Sequence, residues 1–204
     1  MRLVFMGTPE FAVPSLRALV GAGYEVCGVF TQPDRPKNRG MRLQPTSVKE
    51  YALTENIPVY QPEKLRTGQA LAILEGLAPE LIVVAAYGKL LPAEILELPR
   101  LGCINVHSSL LPRYRGAAPI NWAILNGERE SGVTIMHMAQ GLDTGDIILQ
   151  RATPITPEDT AQTLHDRLSE LGAQLLLEAV DALGRGTAPR IPQDDARSCY
   201  APML

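Results

Sequence analysis

The run Cys103-Ile104-Asn105-Val106-His107-Ser108-Ser109 sets an amide and an imidazole two residues apart, where an apolar segment turns polar. In an extended chain, side chains at i and i+2 point to one side, so Asn105 and His107 share a face. Downstream, Gly141-Leu142-Asp143-Thr144-Gly145-Asp146 flanks a carboxylate with glycines that permit tight turns and close approach of backbone. Taken singly, these residues have plain readings: a capping Asn105, a satisfied core His107, and turn residues Asp143 and Asp146. Taken together they supply three different capacities. An amide donates hydrogen bonds without titrating. An imidazole donates to an oxyanion or moves a proton. A carboxylate orients that imidazole, favours its charged form, or accepts a proton. Acyl transfer through a tetrahedral oxyanion needs this set when the substrate brings its own amine. Ser108 and Ser109 lack the G-x-S-x-G context of a nucleophile elbow and read as turn formers or ligand contacts.

Other chemistries fit less well. His107, His137 and Asp143 could form a two-histidine, one-carboxylate metal site. His137, however, lies inside an alternating strand pattern, and neither H-x-x-x-H nor H-E-x-x-H occurs, so no metal is expected. Gly7-Thr8-Pro9-Glu10-Phe11 follows a strand but is not G-x-G-x-x-G, and Glu10 puts a carboxylate where a phosphate would sit. With no P-loop either, a dinucleotide cofactor is not expected. The smallness of Gly7 closes a turn or admits a substrate to the backbone. Cys27, Cys103 and Cys199 are far apart, without metal-ligand spacing, and read as reduced thiols. The net charge of −3 gives no global basic field for nucleic acid, so any such contact must be local. Residues 32–45 are locally basic, with Arg35, Lys37, Arg39 and Arg42 around Asp34. That loop is either a solvated surface or a grip for phosphates.

The elements that must position these residues follow from periodicity. A chain of 204 residues, 46% hydrophobic and 20% charged, suits one globular domain with or without an appendage. Met1–Met6 is too short for a signal or a membrane span, and no later run approaches membrane length, so a cytoplasmic protein is expected. Arg2–Met6 reads as a strand. Phe11, Val13, Leu16, Leu19 and Val20 recur at helical spacing, and Glu25–Thr31 is a second strand. Thr46 or Ser47 caps a helix, with Glu50 placed for a capping box. Gln69–Leu77 is helical. Leu81–Ala86 is a continuous apolar run, as in a strand covered on both faces. Strands are expected at Gly102–Val106, Val133–Met138 and Ile147–Arg151, and a short helix at Ile120–Leu125. A long helix carries Ala161, Leu164, Leu168, Leu171, Leu175, Ala179 and Leu183, begun by Asp159 or Thr160 and ended by Gly184 or Gly186. Residues 187–204 show little periodicity and read as a linker or tail. The alternation predicts an α/β fold: an open Rossmann-like, mostly parallel twisted sheet with helices on both faces. Ligands bind beyond the carboxyl ends of such strands, where Ala86-Tyr87-Gly88, Asn105-Val106-His107 and the Asp143 loop belong.

Asn105-Val106-His107-Ser108-Ser109-Leu110-Leu111-Pro112, followed by Arg113-Tyr114-Arg115-Gly116-Ala117-Ala118-Pro119, resembles the signature of the 10-formyltetrahydrofolate-dependent formyltransferases. Gly141–Asp146 resembles their second motif. The resemblance implies 10-formyltetrahydrofolate as cosubstrate, no metal, and catalysis by Asn105, His107 and Asp143. Folate contacts would fall on Ser109, Leu110, Leu111 and Pro112, and near Ala86, Tyr87 and Gly88. Gly7–Ala12 and Pro33–Gly40 resemble the branch that formylates the α-amine of initiator methionyl-tRNA, a reaction that serves translation initiation. Arg35, Lys37, Arg39 and Arg42 would then meet the tRNA. That branch carries a smaller C-terminal domain that helps hold tRNA. The implied division is a catalytic domain over 1–186 and, over 187–204, a linker toward a tRNA-binding domain absent from this chain. A monomer without membrane attachment is expected. Two alternatives are a sister enzyme acting on a sugar-nucleotide amine and a non-catalytic module that binds folate or tRNA.

Overall fold

Five apolar residues in a row, Leu81–Ala85, leave no face for water, and the computed structural model buries all five. The structure describes residues 1–37 and 40–204, which form two units, Met1–Cys103 and Ile104–Leu204.

The first unit runs β1 (Arg2–Gly7), a single 3-10 turn (Glu10–Ala12), α1 (Val13–Gly21), β2 (Glu25–Phe30), β3 (Arg35–Lys37), β4 (Arg42–Gln44), α2 (Ser47–Thr54), β5 (Val59–Tyr60), α3 (Gln69–Leu77), β6 (Leu81–Ala85) and α4 (Ala93–Leu96). Its sheet has the order β6-β1-β2-β5, and every pairing is parallel. Parallel strands need crossovers, which α1, α2 and α3 supply. Pro14 sits in the first turn of α1, where its missing N–H removes no intrahelical bond. Of the two candidate caps for α2, Thr46 is used: its hydroxyl accepts the Lys49 N–H at 3.1 Å. The 32–45 segment, expected as loop, contains the short antiparallel hairpin β3–β4. Arg39, one of the basic residues singled out above, lies outside the described residues. At Gly7 an added Cβ would stand 2.8 Å from Ala12 Cβ, the Ala85 carbonyl oxygen and Phe5 Cε1. The glycine therefore admits neighbouring protein atoms.

The second unit contains β7 (Cys103–His107), β8 (Arg115–Gly116), α5 (Pro119–Leu125), β9 (Glu130–His137), β10 (Ile147–Pro154), α6 (Ala161–Arg185) and β11 (Tyr200–Ala201). Here β7, β9 and β10 pair antiparallel, with Asn105 opposite Met136 and His107 opposite Thr134. Helix α6 starts at Thr160, whose hydroxyl and that of Thr163 cap each other's backbone N–H, and ends at Gly186 in the left-handed conformation. Its buried stripe includes Leu164, Leu168, Leu175, Ala179 and Leu183. Residues beyond α6 turn back: Ile191 exchanges backbone hydrogen bonds with Ile147, and β11 pairs with β8. The expected α/β fold with a mostly parallel sheet and helices around it is what the chain adopts. Among the described residues no helix is long and apolar enough to cross a membrane.

Candidate active site

His107 is the last residue of β7 and only 6% exposed. Its Nε2 lies 2.9 Å from the Tyr114 carbonyl oxygen. A carbonyl can only accept, so Nε2 carries a proton, and Nδ1 is the nitrogen left for chemistry. Nδ1 stands 3.7 Å from Asp143 Oδ2. That is longer than a hydrogen bond but within ion-pair distance. Orientation of the ring thus comes from the Tyr114 carbonyl, where the sequence had suggested Asp143 for that task.

Asp143 is fixed by main chain. Its Oδ2 accepts the Gly116 N–H at 2.8 Å. Its own backbone is left-handed, with φ of +52°, a conformation that survives where surrounding bonds hold it. At the nearby Gly145, a Cβ would come 1.7 Å from the His137 carbonyl oxygen, so only glycine permits the loop to close on β9. Asn105, two residues before His107 on β7, is half-buried. Among the described residues its carboxamide has no hydrogen-bond partner, so its donors remain available.

The turn after β7 is tied down internally. The Ser109 hydroxyl is buried and donates to the Arg113 carbonyl at 2.7 Å. Thr134 Oγ1 donates to the Ser109 carbonyl and accepts the Leu111 N–H, while Gln150 Nε2 donates to the Leu111 carbonyl. Leu111 is buried; Leu110 and Pro112 are half-buried. Tyr114, also left-handed at φ +58°, donates its N–H to Cys199 Sγ at 3.2 Å and its hydroxyl to Glu128 at 2.6 Å. Arg113, and after it Tyr114, hold the Glu128 carboxyl below its usual range.

The remaining candidates belong to the first unit. Ala86 and Gly88 are exposed and left-handed, at φ +47° and +83°, on either side of the buried Tyr87. Burial pushes the Tyr87 phenol up to about 12. Its carbonyl accepts from Thr8 Oγ1 at 3.0 Å and Gln32 Nε2 at 3.1 Å. Arg35, Lys37 and Arg42 are exposed on the β3–β4 hairpin. At its base, Asp34 accepts from Lys49 Nζ and Gln61 Nε2, each at 2.7 Å.

Among the described residues, no group of three or more His, Cys, Asp or Glu side chains could hold a metal ion. Among the described residues the buried His137 Nε2 has no hydrogen-bond partner, and burial, with Arg190 next, lowers the pKa of that ring. Sequence reading missed the Tyr114 carbonyl and the Gly116 N–H, which carry no side-chain signature. It also missed Gln193, whose Nε2 donates to the carbonyls of Asp143 at 2.8 Å and Gly145 at 2.7 Å.

A family model described as formyl transferase matches residues 1–180. A methionyl-tRNA formyltransferase of Pelotomaculum thermopropionicum is 57% identical over 204 residues, covering all of this chain and 65% of that protein. One of Syntrophus aciditrophicus is 59% identical over 202 residues, 99% of this chain and 65% of that protein. The chain therefore spans 65% of the length of these two relatives. Among solved structures, an N-formyltransferase of Helicobacter canadensis in complex with folinic acid and dTDP-3-aminofucose has a TM-score of 0.72 at 25% identity. It covers 98% of this chain and 70% of that one. A glycinamide ribonucleotide transformylase of Symbiobacterium toebii, at 20% identity and a TM-score of 0.77, shares the fold over 95% of this chain and 93% of its own.

Proposed function

The chain belongs to the formyl transferase family, and from that premise we propose that it moves a formyl group from 10-formyltetrahydrofolate to the α-amine of initiator methionyl-tRNA. The observation that carries the chemistry is the 3.7 Å between His107 Nδ1 and Asp143 Oδ2, beside an Asn105 carboxamide with unspent donors. The acceptor is inferred from relatives 57% and 59% identical whose names specify methionyl-tRNA.

The cosubstrate supplies a formyl carbon bonded to N10. As the neutral amine attacks, a carbon–nitrogen bond forms and the formyl oxygen gains negative charge. Asn105 donates an amide N–H to that oxygen. His107, protonated at both nitrogens, donates from Nδ1 while Nε2 stays on the Tyr114 carbonyl. Asp143, negative and close by, offsets the imidazolium charge. It also takes the amine's proton through water, and the proton is returned to N10 as the N10–carbon bond breaks. Folate rests against the turn Ser109–Pro112 and the backbone near Ala86, Tyr87 and Gly88. Arg35, Lys37, Arg39 and Arg42 are the proposed tRNA contacts. Residues 1–186 form the catalytic domain, and 187–204 lead toward a C-terminal tRNA-binding domain.

Losing one oxyanion donor costs about 3–4 kcal/mol. Asn105→Ala should therefore slow single-turnover formation of formyl-methionyl-tRNA about a hundredfold or more at saturating substrates. The assay is run with the folate donor present or omitted, and with a dTDP-linked amino sugar offered in place of tRNA. An unchanged rate in the variant removes Asn105 from the mechanism. Preference for the amino sugar removes the tRNA assignment.

A further inference from the structure

The segment after α6 touches both groups that hold His107 and Asp143. Gln193 lies beyond the residues 1–180 that match the family model, yet both ends of its carboxamide are used on the site. Nε2 donates to the carbonyls of Asp143 and Gly145 at 2.8 and 2.7 Å. Oε1 accepts from Arg115 Nε and Nη2, at 3.2 and 2.9 Å. Arg115 precedes Gly116, whose N–H holds the Asp143 carboxylate. Six residues on, the Cys199 carbonyl accepts the Arg115 N–H at 2.9 Å, and its sulfur accepts the N–H of Tyr114, whose own carbonyl receives His107 Nε2. One stretch of chain therefore fastens the base under the imidazole and the loop under the carboxylate. Both Tyr114 and Asp143 are left-handed without being glycine, so each needs such outside bonds to persist.

We infer that Gln193 is a positioning residue for the reaction proposed above. By bridging Arg115 to the Asp143–Gly145 carbonyls it sets the separation between His107 and Asp143. Ile191, exchanging backbone bonds with Ile147 two residues earlier, anchors the strap without touching the reacting groups.

The inference rests on the formyl-transfer reading for its rate, and on geometry alone for its spectroscopic signature. In Gln193→Ala, kcat should fall at least about tenfold, as small misplacements of reacting groups do. KM for both substrates should stay within about threefold. The 15N resonance of His107 Nδ1 at fixed pH should move in the same variant. Gln193→Glu keeps an acceptor for Arg115 and sets a negative oxygen against the two loop carbonyls. It should reproduce the kcat loss with the melting temperature retained. An Nδ1 resonance or a kcat that matches the parent chain overturns the assignment, as does activity lost only in proportion to folded protein in both variants. If the parent chain transfers no formyl group, the functional reading fails, and the His107 resonance still decides whether Gln193 positions the site.

Discussion

Asp34 and Asp143 are both half-buried carboxylates in loops that follow strands, and they are held in opposite ways. In the first unit, Asp34 spends both oxygens on side chains: Lys49 on one and Gln61 on the other. Those partners, Lys49 foremost, hold its carboxyl below the usual range. In the second unit, Asp143 spends one oxygen on a single main-chain N–H, and among the described residues its other oxygen has no hydrogen-bond partner. The more buried of the two side chains, Asp143 at 13% exposure against 26% for Asp34, is the less satisfied. A buried polar group is normally satisfied, so the unspent Oδ1 of a carboxylate whose Oδ2 stands 3.7 Å from the His107 ring is a reserve for a ligand. A saturated carboxylate, by contrast, locks a hairpin to its sheet.

The largest test of this contrast exchanges each charge for an amide. Asp143→Asn still offers an oxygen to the Gly116 N–H but no longer sets a negative charge near His107 or takes a proton. Its kcat should drop between about 10²- and 10⁴-fold, the range for lost acid–base assistance. Asp34→Asn, measured as single turnover at saturating substrates, should stay within about twofold of the parent because that charge is spent on Lys49. Equal losses in the two variants would erase the distinction between lock and reserve.

The sequence made the reserve legible and the means of holding it illegible. Asn105, His107 and Asp143 were visible because their types are unusual at a strand end and between glycines. The Tyr114 carbonyl and the Gly116 N–H are main-chain groups that every residue possesses, so no residue type announces them. Gln193 sits in a segment with no hydrophobic period, and only tertiary contact shows that it bridges Arg115 to the Asp143 loop. The same limit governed the fold. Leu81–Ala85 declared itself as a strand because burial on both faces demands an unbroken apolar run. Strands β3 and β4 are three residues long and exposed throughout, with nothing to alternate, and so read as loop.

A smaller effect sharpens the role of the hairpin that Asp34 anchors. Arg42 is exposed on β4, paired in register with Lys37. If it meets a tRNA phosphate, Arg42→Ala should weaken tRNA binding about tenfold, the worth of one hydrogen bond to a charged group (~1.5 kcal/mol). The slope of log affinity against log salt should also fall by about 1. Folate binding and the saturated single-turnover rate should not change. A variant with unaltered salt slope would remove Arg42 from the phosphate contacts.

The smallest effect concerns stability, and its pH dependence has a definite sign. An unfolded chain carries Asp34 with an ordinary pKa of about 3.9, whereas Lys49 and Gln61 hold the folded carboxyl lower. Above that ordinary value both states are ionised, and the folded state keeps the full benefit of the paired charge. As pH falls through about 3.9, the unfolded chain takes up a proton that the folded chain still declines, which favours unfolding. The benefit is therefore lost between the unfolded pKa and the lower folded one. Because the pair is partly exposed, its worth is about 1 kcal/mol, roughly a fivefold change in the folding equilibrium. Urea unfolding of the parent and of Asp34→Asn should show that gap as constant from pH 7 to 5 and closing below pH 4. Added salt should narrow it at pH 7, since part of it is Coulombic attraction to Lys49. A gap that widens on acidification would mean that Asp34 is stabilised in its protonated form. The lock would then be a neutral hydrogen-bonding arrangement, and the contrast with Asp143 would lose its electrostatic basis.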